Sequence, residues 1–532
     1  EMVTISTWRP VLCGALLAGG IVAATTPAAS AAVCTSGVPG DVNGDGYAEV
    51  AVSETGRPDD QGAVHVFYGR PTGLAANGSG TALDDQYLDQ DQPGVPGTGS
   101  NGDDFGTAVA FGDYNADGCS DLAVGAATDS VAGTVYIFYG SKSGLRTTGS
   151  QRITDVQLLG DPGQFTDQGF ATALTAADLN DDGDDDLAIG VPGHREAGEI
   201  RGAVVVLLGG SGGLTAADKT VVDRGNADIG DQAIYFGSQL AAGDFDGDGI
   251  QELAVTFGHV TSGDDEEGAG VGGNPAGWVQ VLEGTTSGLT PTMDEPLDGP
   301  ALGIDDRVRE EDGDPDQLAF GDVTAAGDVN ADGRDDLAVG MPTLGNSGVV
   351  ALVKGSAQGL AAPGLERWTQ ATTGVAGTPA DFDSFGAALA MGRLDAGPTD
   401  DLAIGTPFDV IDGRRGAGSV SILLGSASGL TTAGQGGARY HQNTSGIAGV
   451  AEAEDMFGEA VAIANVQSRT QGCLVIGVYR EKVGTRDGTG QIHQLSKDAS
   501  GPKTGGSVAL NLDSPGVRGA SREDAHFGRA LD

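Results

Sequence analysis

Basic residues are scarce in this chain. Its 532 residues include 28 Lys and Arg against 75 Asp and Glu, which gives a formal net charge of −47 at pH 7. A surface this acidic repels phosphate-rich polymers and anionic lipid headgroups. We therefore expect no nucleic-acid partner and no association with an acidic membrane surface.

Aromatic residues and long apolar runs are also rare. Phe, Trp and Tyr make up 5% of the chain, although apolar residues as a whole reach 39%. One apolar run, residues 11–24, follows Arg9 and precedes Ala29-Ser30-Ala31, which is typical of a secretory signal peptide. The run is short for a membrane-spanning helix, the competing interpretation. The sequence predicts a signal peptide over residues 1–31, a secreted extracellular domain over 32–532, and no membrane insertion after cleavage.

Cysteine is almost absent. Of four cysteines, Cys13 lies in the predicted signal peptide, which leaves Cys34, Cys119 and Cys473 in the mature chain. Three cysteines permit one disulfide and one free thiol, and spacing alone does not decide the pairing.

Glycine, in contrast, is abundant, with 92 residues. The glycines show no three-residue period, so a collagen helix is excluded and a fold with many turns is indicated. The apolar core must then be distributed over many short strands.

Acidic nine-residue loops recur five times, the first running from Asp41 to Glu49. Oxygen-bearing side chains stand at positions 1, 3, 5 and 9, and a Gly at position 6 permits the positive φ of a tight turn. Alternate residues of such a turn can point at one centre, and Ca²⁺ takes six or more oxygen ligands. The predicted ligands are Asp41, Asn43, Asp45 and Glu49; Asp113, Asn115, Asp117 and Asp121; Asp178, Asn180, Asp182 and Asp186; Asp244, Asp246, Asp248 and Glu252; and Asp328, Asn330, Asp332 and Asp336.

Position 7 varies among the loops, which suits a ligand supplied by the main-chain carbonyl. Its residues are Tyr47, Cys119, Asp184, Ile250 and Arg334. Position 12 is Val or Ile rather than the Glu of an EF-hand, and a strand-length apolar run follows each loop. The sequence therefore predicts about five structural Ca²⁺ ions in strand-loop-strand sites.

The loops belong to a longer repeat. A Phe followed by a small residue precedes each of the last four loops, and the pair recurs twice more downstream. These residues are Phe105, Phe170, Phe236, Phe320, Phe385 and Phe457. A further strand and a turn ending in Gly-Leu follow the loop strand. Four short antiparallel strands at a period of roughly 65–85 residues are typical of a propeller blade.

These motifs resemble the FG-GAP repeats of the integrin α-subunit β-propeller. The resemblance is carried by Phe105-Gly106, by the Asp113–Asp121 loop and by Leu122-Ala-Val-Gly125, together with their repeats. It covers nearly all of the mature chain and implies an all-β fold, a seven-bladed propeller with four-stranded antiparallel blades. The family also includes an anchor-cleaving phospholipase D and bacterial secreted proteins, and this chain resembles the bacterial secreted type.

Blade one is predicted to be split between the two ends of the chain. Residues 38–104 enter almost directly at the first loop, and residues 524–532 supply a Phe-Gly pair at Phe527 with no loop after it. We expect this C-terminal strand to complete blade one, so that N- and C-terminal strands close the ring. The rival strand, residues 33–40, contains Gly37 and Pro39, which disfavour it.

Blades six and seven have lost the metal pattern. In blade six Arg393 stands at position 1, with Asp395 and Asp401 at positions 3 and 9. We expect Arg393 to replace the cation by pairing with both carboxylates. In blade seven the corresponding residues are Asn465, Gln467, Arg469 and Cys473.

The loops on the face opposite the metal sites are the predicted binding surface. Blade four carries an insertion there with four acidic residues, Asp264, Asp265, Glu266 and Glu267, as candidate contacts for a cationic or sugar-bearing ligand. A solvated acidic loop that promotes solubility is the alternative interpretation.

The sequence thus predicts a secreted, calcium-binding, non-catalytic adhesion scaffold for an extracellular protein or glycan ligand. The alternative is a hydrolase-associated module, either phospholipase-D-like or cell-wall-glycan-binding. The resemblance implies that a phospholipase of this family has its catalytic domain ahead of the propeller, and the stretch from Ala32 to Asp41 is too short for one.

Overall fold

The computed structural model describes most of the propeller. The described residues are 34, 37–56, 61–74, 84–128, 133–160, 169–196, 199–223, 233–259, 276–290, 296–299 and 320–532. The predicted signal peptide (1–31) and the predicted ligand-binding residues Asp264, Asp265, Glu266 and Glu267 lie outside them.

Seven antiparallel sheets are arranged as propeller blades. Most are meanders in which consecutive strands pair, with a two-stranded ribbon inserted in blade three and a fifth strand in blade four. Blade one contains β1 (Val50–Glu54), β2 (Ala63–Phe67) and β3 (Asp85–Leu88). Blade two contains β4 (Phe105–Gly112), β5 (Asp121–Ala126), β6 (Thr134–Tyr139) and β7 (Arg146–Thr154). Blade three contains β8 (Leu174–Ala177), β9 (Asp186–Val191), β12 (Ala203–Leu207) and β13 (Lys219–Asp223), beside a ribbon of β10 (Arg195–Glu196) and β11 (Glu199–Ile200).

The remaining blades repeat this order. Blade four contains β14 (Ala233–Ile234), β15 (Leu240–Gly243), β16 (Glu252–His259), β17 (Ala276–Leu282) and β18 (Leu297–Asp298). Blade five contains β19 (Val323–Gly327), β20 (Asp336–Met341), β21 (Val349–Lys354) and β22 (Ala361–Trp368). Blade six contains β23 (Ala388–Gly392), β24 (Asp401–Thr406), β25 (Ser419–Leu423) and β26 (Arg439–Tyr440). Blade seven contains β27 (Val461–Ala464), β28 (Cys473–Val478), β29 (Gln491–Asp498) and β30 (Gly501–Leu510), and the last strand is β31 (Phe527–Leu531).

Helix is a minor component of the described residues. It consists of one short α-helix, Asp155–Leu159, and two 3₁₀ turns, Ala216–Asp218 and Leu344–Asn346. In this part of the chain, no helix combines the length and the apolar character needed to cross a bilayer.

The ring closes between the two ends of the chain, which confirms the prediction. Strand β31 pairs antiparallel with β1, with Phe527 opposite Glu54 and Leu531 opposite Val52. The rival segment ends in a turn at Pro39 and Gly40 rather than in a strand.

The phenylalanine of each Phe-Gly or Phe-Ala pair fills one of the junctions between neighbouring blades. Seven apolar clusters separate the blades, and each contains one such ring. The rings are Phe105, Phe170, Phe236, Phe320, Phe385, Phe457 and Phe527, each no more than 3% exposed. Every blade therefore uses a phenylalanine at or just before the first long strand of the next blade to complete its core.

The main chain of the phenylalanine lies against a glycine of the preceding blade. The Phe105 N–H donates to the Gln61 carbonyl at 3.0 Å, and a Cβ on Gly62 would lie 2.1 Å from the Phe105 oxygen. The same contact recurs at Gly202, Gly348, Gly418 and Gly490, where a Cβ would lie 2.2 to 2.3 Å from the facing phenylalanine backbone. Only glycine permits this approach, so part of the glycine excess is a packing requirement.

Replacing Phe527 with Ala tests how much the closing junction contributes. Its ring is fully buried and packs edge-on against Phe67 at 6.1 Å. We expect Phe527→Ala to lower the free energy of unfolding by about 3–5 kcal/mol, because it leaves a cavity at the seam. Phe382, 72% exposed, is the control. Phe382→Ala should change stability by no more than about 0.5 kcal/mol in the same urea titration. Equal effects of the two substitutions would contradict the role assigned to the seam.

Candidate metal centres

Four of the five acidic loops connect two consecutive strands of a blade, and the loop Asp41–Glu49 leads directly into β1, beside the C-terminal strand β31. All five lie on one face of the ring. The structure brings the predicted side chains of each loop around a single turn. In loop three the Asp178 carboxylate accepts hydrogen bonds from the N–H of Asp182 at 3.2 Å and of Gly183 at 2.9 Å. The Asp182 carboxylate in turn accepts from the N–H of Asp184 at 3.0 Å.

The same three hydrogen bonds recur in every loop. Donation from position 5 to the position 1 carboxylate spans 3.1 to 3.3 Å. Donation from position 6 to position 1 spans 2.7 to 3.1 Å. Donation from position 7 to position 5 spans 2.9 to 3.1 Å. The loop backbone thus orients the carboxylates, and their remaining lone pairs can serve a cation.

Two loops gather three carboxylates most closely. Oxygens of Asp41, Asp45 and Glu49 lie within 4.8 Å of one another, as do those of Asp244, Asp246 and Glu252. These two loops have Glu at position 9, and the extra methylene extends that carboxylate towards the loop centre. In the described part of the chain, no other set of three His, Cys, Asp or Glu side chains brings its ligand atoms within this distance of one another.

Position 3 is Asn in every loop except loop four, where it is Asp246. Asn115 Nδ2 donates to Asp121 at 2.9 Å, and Asn330 Nδ2 donates to Asp336 at 3.3 Å. The amide nitrogen thereby satisfies part of the hydrogen-bonding capacity of the position 9 carboxylate. Presenting the amide oxygen to a cation instead requires only rotation of the side chain.

The position 9 carboxylates are buried and anchored to the backbone. Each is at most 2% exposed. Asp186 accepts from Gly209 N–H at 2.8 Å, and Asp336 accepts from Gly355 N–H at 2.9 Å. Burial raises the pKa of Asp186 to about 7, of Glu252 to about 8 and of Asp336 to about 7, and raises those of Glu49 and Asp121 well above their ordinary values. These sites therefore disfavour the ionised form unless a positive charge accompanies it.

This donor set fits a divalent cation with a preference for oxygen. Each loop offers oxygens at positions 1, 3, 5 and 9 on one preformed turn, and the main-chain carbonyl of position 7 is the fifth predicted donor. Carboxylates, amide oxygens and carbonyls are the ligands that Ca²⁺ prefers.

The predicted role of Arg393 in blade six is wrong. Its guanidinium donates to the Gly397 carbonyl, from Nε at 3.0 Å and from Nη2 at 2.7 Å, and has no ion pair with Asp395 or Asp401 among the described residues. Asp401 instead accepts from the main-chain N–H of Leu394 at 2.8 Å and of Gly425 at 2.9 Å. The arginine thus caps the turn, while the position 9 carboxylate keeps the contacts of the other blades.

The cysteine pairing that the sequence left open is Cys34 with Cys119, and Cys473 is free and buried. Cys119 occupies position 7 of loop two. Its side chain points away from the loop centre into the disulfide, consistent with a position whose side chain is free to vary. Cys34 is thereby fixed to loop two, and its N–H donates to the Asp117 carbonyl at 3.1 Å.

A ring of hydrogen bonds that the sequence analysis missed joins the loops of all seven blades. The N–H of each position 8 residue donates to the position 1 carbonyl of the preceding blade, at 2.7 to 3.4 Å. The pairs are Ser120 to Asp41, Asp185 to Asp113, Gln251 to Asp178, Asp335 to Asp244, Asp400 to Asp328, Gly472 to Arg393 and Ala48 to Asn465.

Several position 8 side chains make a second hydrogen bond to the same position 1 residue of the preceding blade. Those of Asp185, Gln251, Asp335 and Asp400 accept from the position 1 N–H of the preceding blade at 2.8 to 3.1 Å. Recurrence of an acid or amide at this position was the signal available in the sequence. Each of these loops is therefore held by its neighbour as well as by its own blade.

Comparison with known proteins agrees with this architecture. The family model of the FG-GAP repeat matches residues 35–67, 105–138, 170–207 and 236–272, one segment in each of the first four blades. Phosphatidylinositol-glycan-specific phospholipase D of Bos taurus is 32% identical over 191 residues, 35% of this chain and 22% of that protein. Integrin alpha-PS5 of Drosophila melanogaster is 35% identical over 174 residues, 32% of this chain and 16% of that protein.

These alignments span less than a quarter of either relative. Among solved structures, rhamnogalacturonan lyase YesW matches with a TM-score of 0.31 and 16% identity, over 69% of this chain and 58% of that one. A likeness this low supports no functional argument. The matched repeats and the integrin relatives agree with the seven blades described above. The chain therefore carries FG-GAP repeats and forms an integrin-α-like β-propeller.

Proposed function

We propose that the protein is a calcium-stabilised binding scaffold, in which Ca²⁺ occupies the five acidic loops. The observation that supports it is the identical backbone arrangement of the five turns around buried position 9 carboxylates. Positions 1, 3, 5 and 9 supply side-chain oxygens, and position 7 supplies its carbonyl. The ion would add positive charge where burial disfavours carboxylate ionisation, and so stabilise the folded ring by mass action.

The pH dependence of stability tests this assignment. A carboxyl group whose pKa is raised on folding binds its proton more tightly in the folded state, so stability falls as pH rises through that range. Asp186, Glu252 and Asp336, with pKa values of about 7, 8 and 7, place this loss between about pH 4 and 8. Bound Ca²⁺ favours the ionised form and opposes the loss. We therefore expect Ca²⁺ to raise Tm more at pH 8 than at pH 5, relative to chelator at equal ionic strength.

Calorimetry at both pH values, with NaCl in place of CaCl₂ as the control, gives the answer. A Tm that Ca²⁺ leaves unchanged at pH 8, or a larger rise at pH 5, would show that these carboxylates do not bind the ion.

A pair of matched aspartates separates the structural role of position 9 from its metal role. Asp336 and Asp401 are both fully buried, and each accepts a main-chain N–H at 2.9 Å, but only the blade five loop of Asp336 has the other ligands. In chelator, Asp336→Asn and Asp401→Asn should each lower stability by about 1–3 kcal/mol, since each disrupts a buried hydrogen bond. With Ca²⁺, the loss should grow for Asp336→Asn and stay constant for Asp401→Asn. The same calcium dependence in both variants would refute the assignment of the ion to blade five.

We also propose an extracellular location. The Cys34–Cys119 disulfide supports it, since such bonds persist mainly in oxidising compartments. The sequence pattern of residues 1–31 is that of a signal peptide. N-terminal sequencing of protein recovered from the culture medium should give Ala32 as the first residue. Retention of the full-length chain inside the cell would exclude secretion.

Binding to an extracellular protein or glycan, without catalysis, is the proposed activity. The support is the similarity to integrin α-subunits, together with a metal face that is fully engaged in holding the ring. A pull-down of wall and secreted fractions, in Ca²⁺ and in chelator, should retain a ligand only with Ca²⁺. The alternative of a hydrolase-associated module is supported by the phospholipase D similarity. Turnover of phosphodiester or glycan substrates by the purified protein would favour that alternative.

A further inference from the structure

Two exposed phenylalanines lie on adjacent backbone segments on the face opposite the acidic loops. Phe382 precedes the first strand of blade six and is 72% exposed, and Phe408 lies between the second and third strands and is 40% exposed. The Phe408 N–H donates to the Asp383 carbonyl at 3.2 Å, so the two backbones are adjacent. In the described part of the chain, the other exposed large apolar residues are Tyr235 and Val450.

The fold does not require phenylalanine at this corner, because other blades build it differently. In blade two the equivalent residues are Gly102 and Thr128, and the threonine hydroxyl donates to the glycine carbonyl. In blade seven they are Glu454 and Arg480, which form an ion pair at 3.8 Å. Blade six thus presents two apolar rings to solvent where a neighbouring blade presents opposite charges.

Two arginines lie beside the phenylalanines. Arg414 and Arg415 are exposed on the turn that follows Phe408, and neither has an ion-pair partner within 4 Å among the described residues. Paired main-chain hydrogen bonds between Ile411 and Arg414, at 3.1 and 2.9 Å, fix the turn.

The next inter-blade loop supports the same surface. The Glu454 N–H donates to the Arg415 carbonyl at 3.0 Å. Asn443 Nδ2 donates to Asp412 at 2.7 Å, and Asn443 Oδ1 accepts from Ala451 N–H at 3.0 Å, which places the 58% exposed Val450 nearby. The turn that carries Phe408, Arg414 and Arg415 is therefore hydrogen-bonded to the segments that carry Phe382 and Val450.

We propose that this blade-six surface, made of Phe382, Phe408, Arg414, Arg415 and Val450, docks a protein segment that carries carboxylates beside an apolar side chain. The inference rests on the proposed binding function and names its partner class. Phenylalanine rings offer apolar area without a hydrogen-bonding group, which suits an aliphatic or aromatic side chain better than a sugar ring. Arginine pairs carboxylates in a bidentate fork. Asp381, Asp412 and Glu454 are also exposed at this corner, so direct pairing with Arg414 and Arg415, rather than a basic field, would select an acidic segment.

The test transfers the blade-seven corner to blade six. The double variant Phe382→Glu and Phe408→Arg should fold with unchanged circular dichroism and Tm, since Glu454 and Arg480 occupy the same positions in blade seven. A phage library of random dodecapeptides is selected on the wild-type protein in Ca²⁺, with counter-selection on the double variant. Selected peptides should carry Asp or Glu within a few positions of an apolar residue.

Affinities of the selected peptides give the quantitative result. We expect the double variant to bind them at least about tenfold more weakly, as for loss of a central apolar contact. Arg414→Ser with Arg415→Ser should weaken binding about threefold to tenfold, more at low than at high salt. Selection of peptides that bind wild type and double variant equally would overturn this surface while leaving the proposed binding function intact.

Two further outcomes are decisive. Selection of no peptide at all, from a protein whose wall-fraction pull-down retains a glycan, would overturn the protein-segment assignment. Sedimentation velocity tests whether a second copy of the chain occupies the surface. A dimer of the wild type that disappears in the double variant would show that a second copy of the chain covers the surface, contrary to the proposal.

Discussion

The phenylalanine between blades is the contact on which the rest of the ring depends. Each blade is a small sheet with two apolar faces, and neither face can be buried within the blade itself. The ring contributed by the next blade completes each cluster, and a glycine backbone permits its main chain to approach within hydrogen-bonding distance. The same requirement explains the split blade. An open ring would leave one cluster without its phenylalanine and one strand edge unpaired, and Phe527 on β31 supplies both.

A second set of contacts between neighbouring blades closes the ring on the face that carries the acidic loops. Position 8 of every loop donates to position 1 of the preceding blade, and blades six and seven take part although they lack the metal pattern. These hydrogen bonds are therefore a property of the backbone turn, and a cation bound there would act on charges that the turn has already brought together. In blade six, Arg393 closes the turn through a carbonyl, which suggests that loss of the metal ligands is tolerated when another donor holds the loop. Ions in neighbouring loops would act on turns that share hydrogen bonds.

Local patterns predicted the blades and the loops because their determinants lie close together in sequence. Asp113 to Asp121 encodes its turn within nine residues, and the Phe-Gly pair marks its own position. The protonation state of a buried histidine was not predictable in this way. His65 and His493 occupy equivalent strand positions, and both are fully buried. Burial lowers the pKa of His493 to about 4. Burial also acts on His65, but the hydrogen bonds that its ring donates to the Asp85 and Glu54 carboxylates outweigh burial and raise the pKa to about 9. Those partners come from other strands, as did the partner of Cys119, so spacing could not reveal them.

The two faces of the ring tolerate changes of amino-acid sequence to different degrees. On the metal face, the same main-chain hydrogen bonds recur in all blades, so a change in one loop alters the support of the next. On the opposite face, equivalent corners hold Gly102 with Thr128, Glu454 with Arg480, or Phe382 with Phe408. The first residue of each pair has a positive φ, of 83°, 67° and 69°. A binding surface can therefore change one corner at a time without disturbing the ring. An exposed aromatic pair in such a corner is better explained by a partner than by the fold, because the fold accepts an ion pair there equally well.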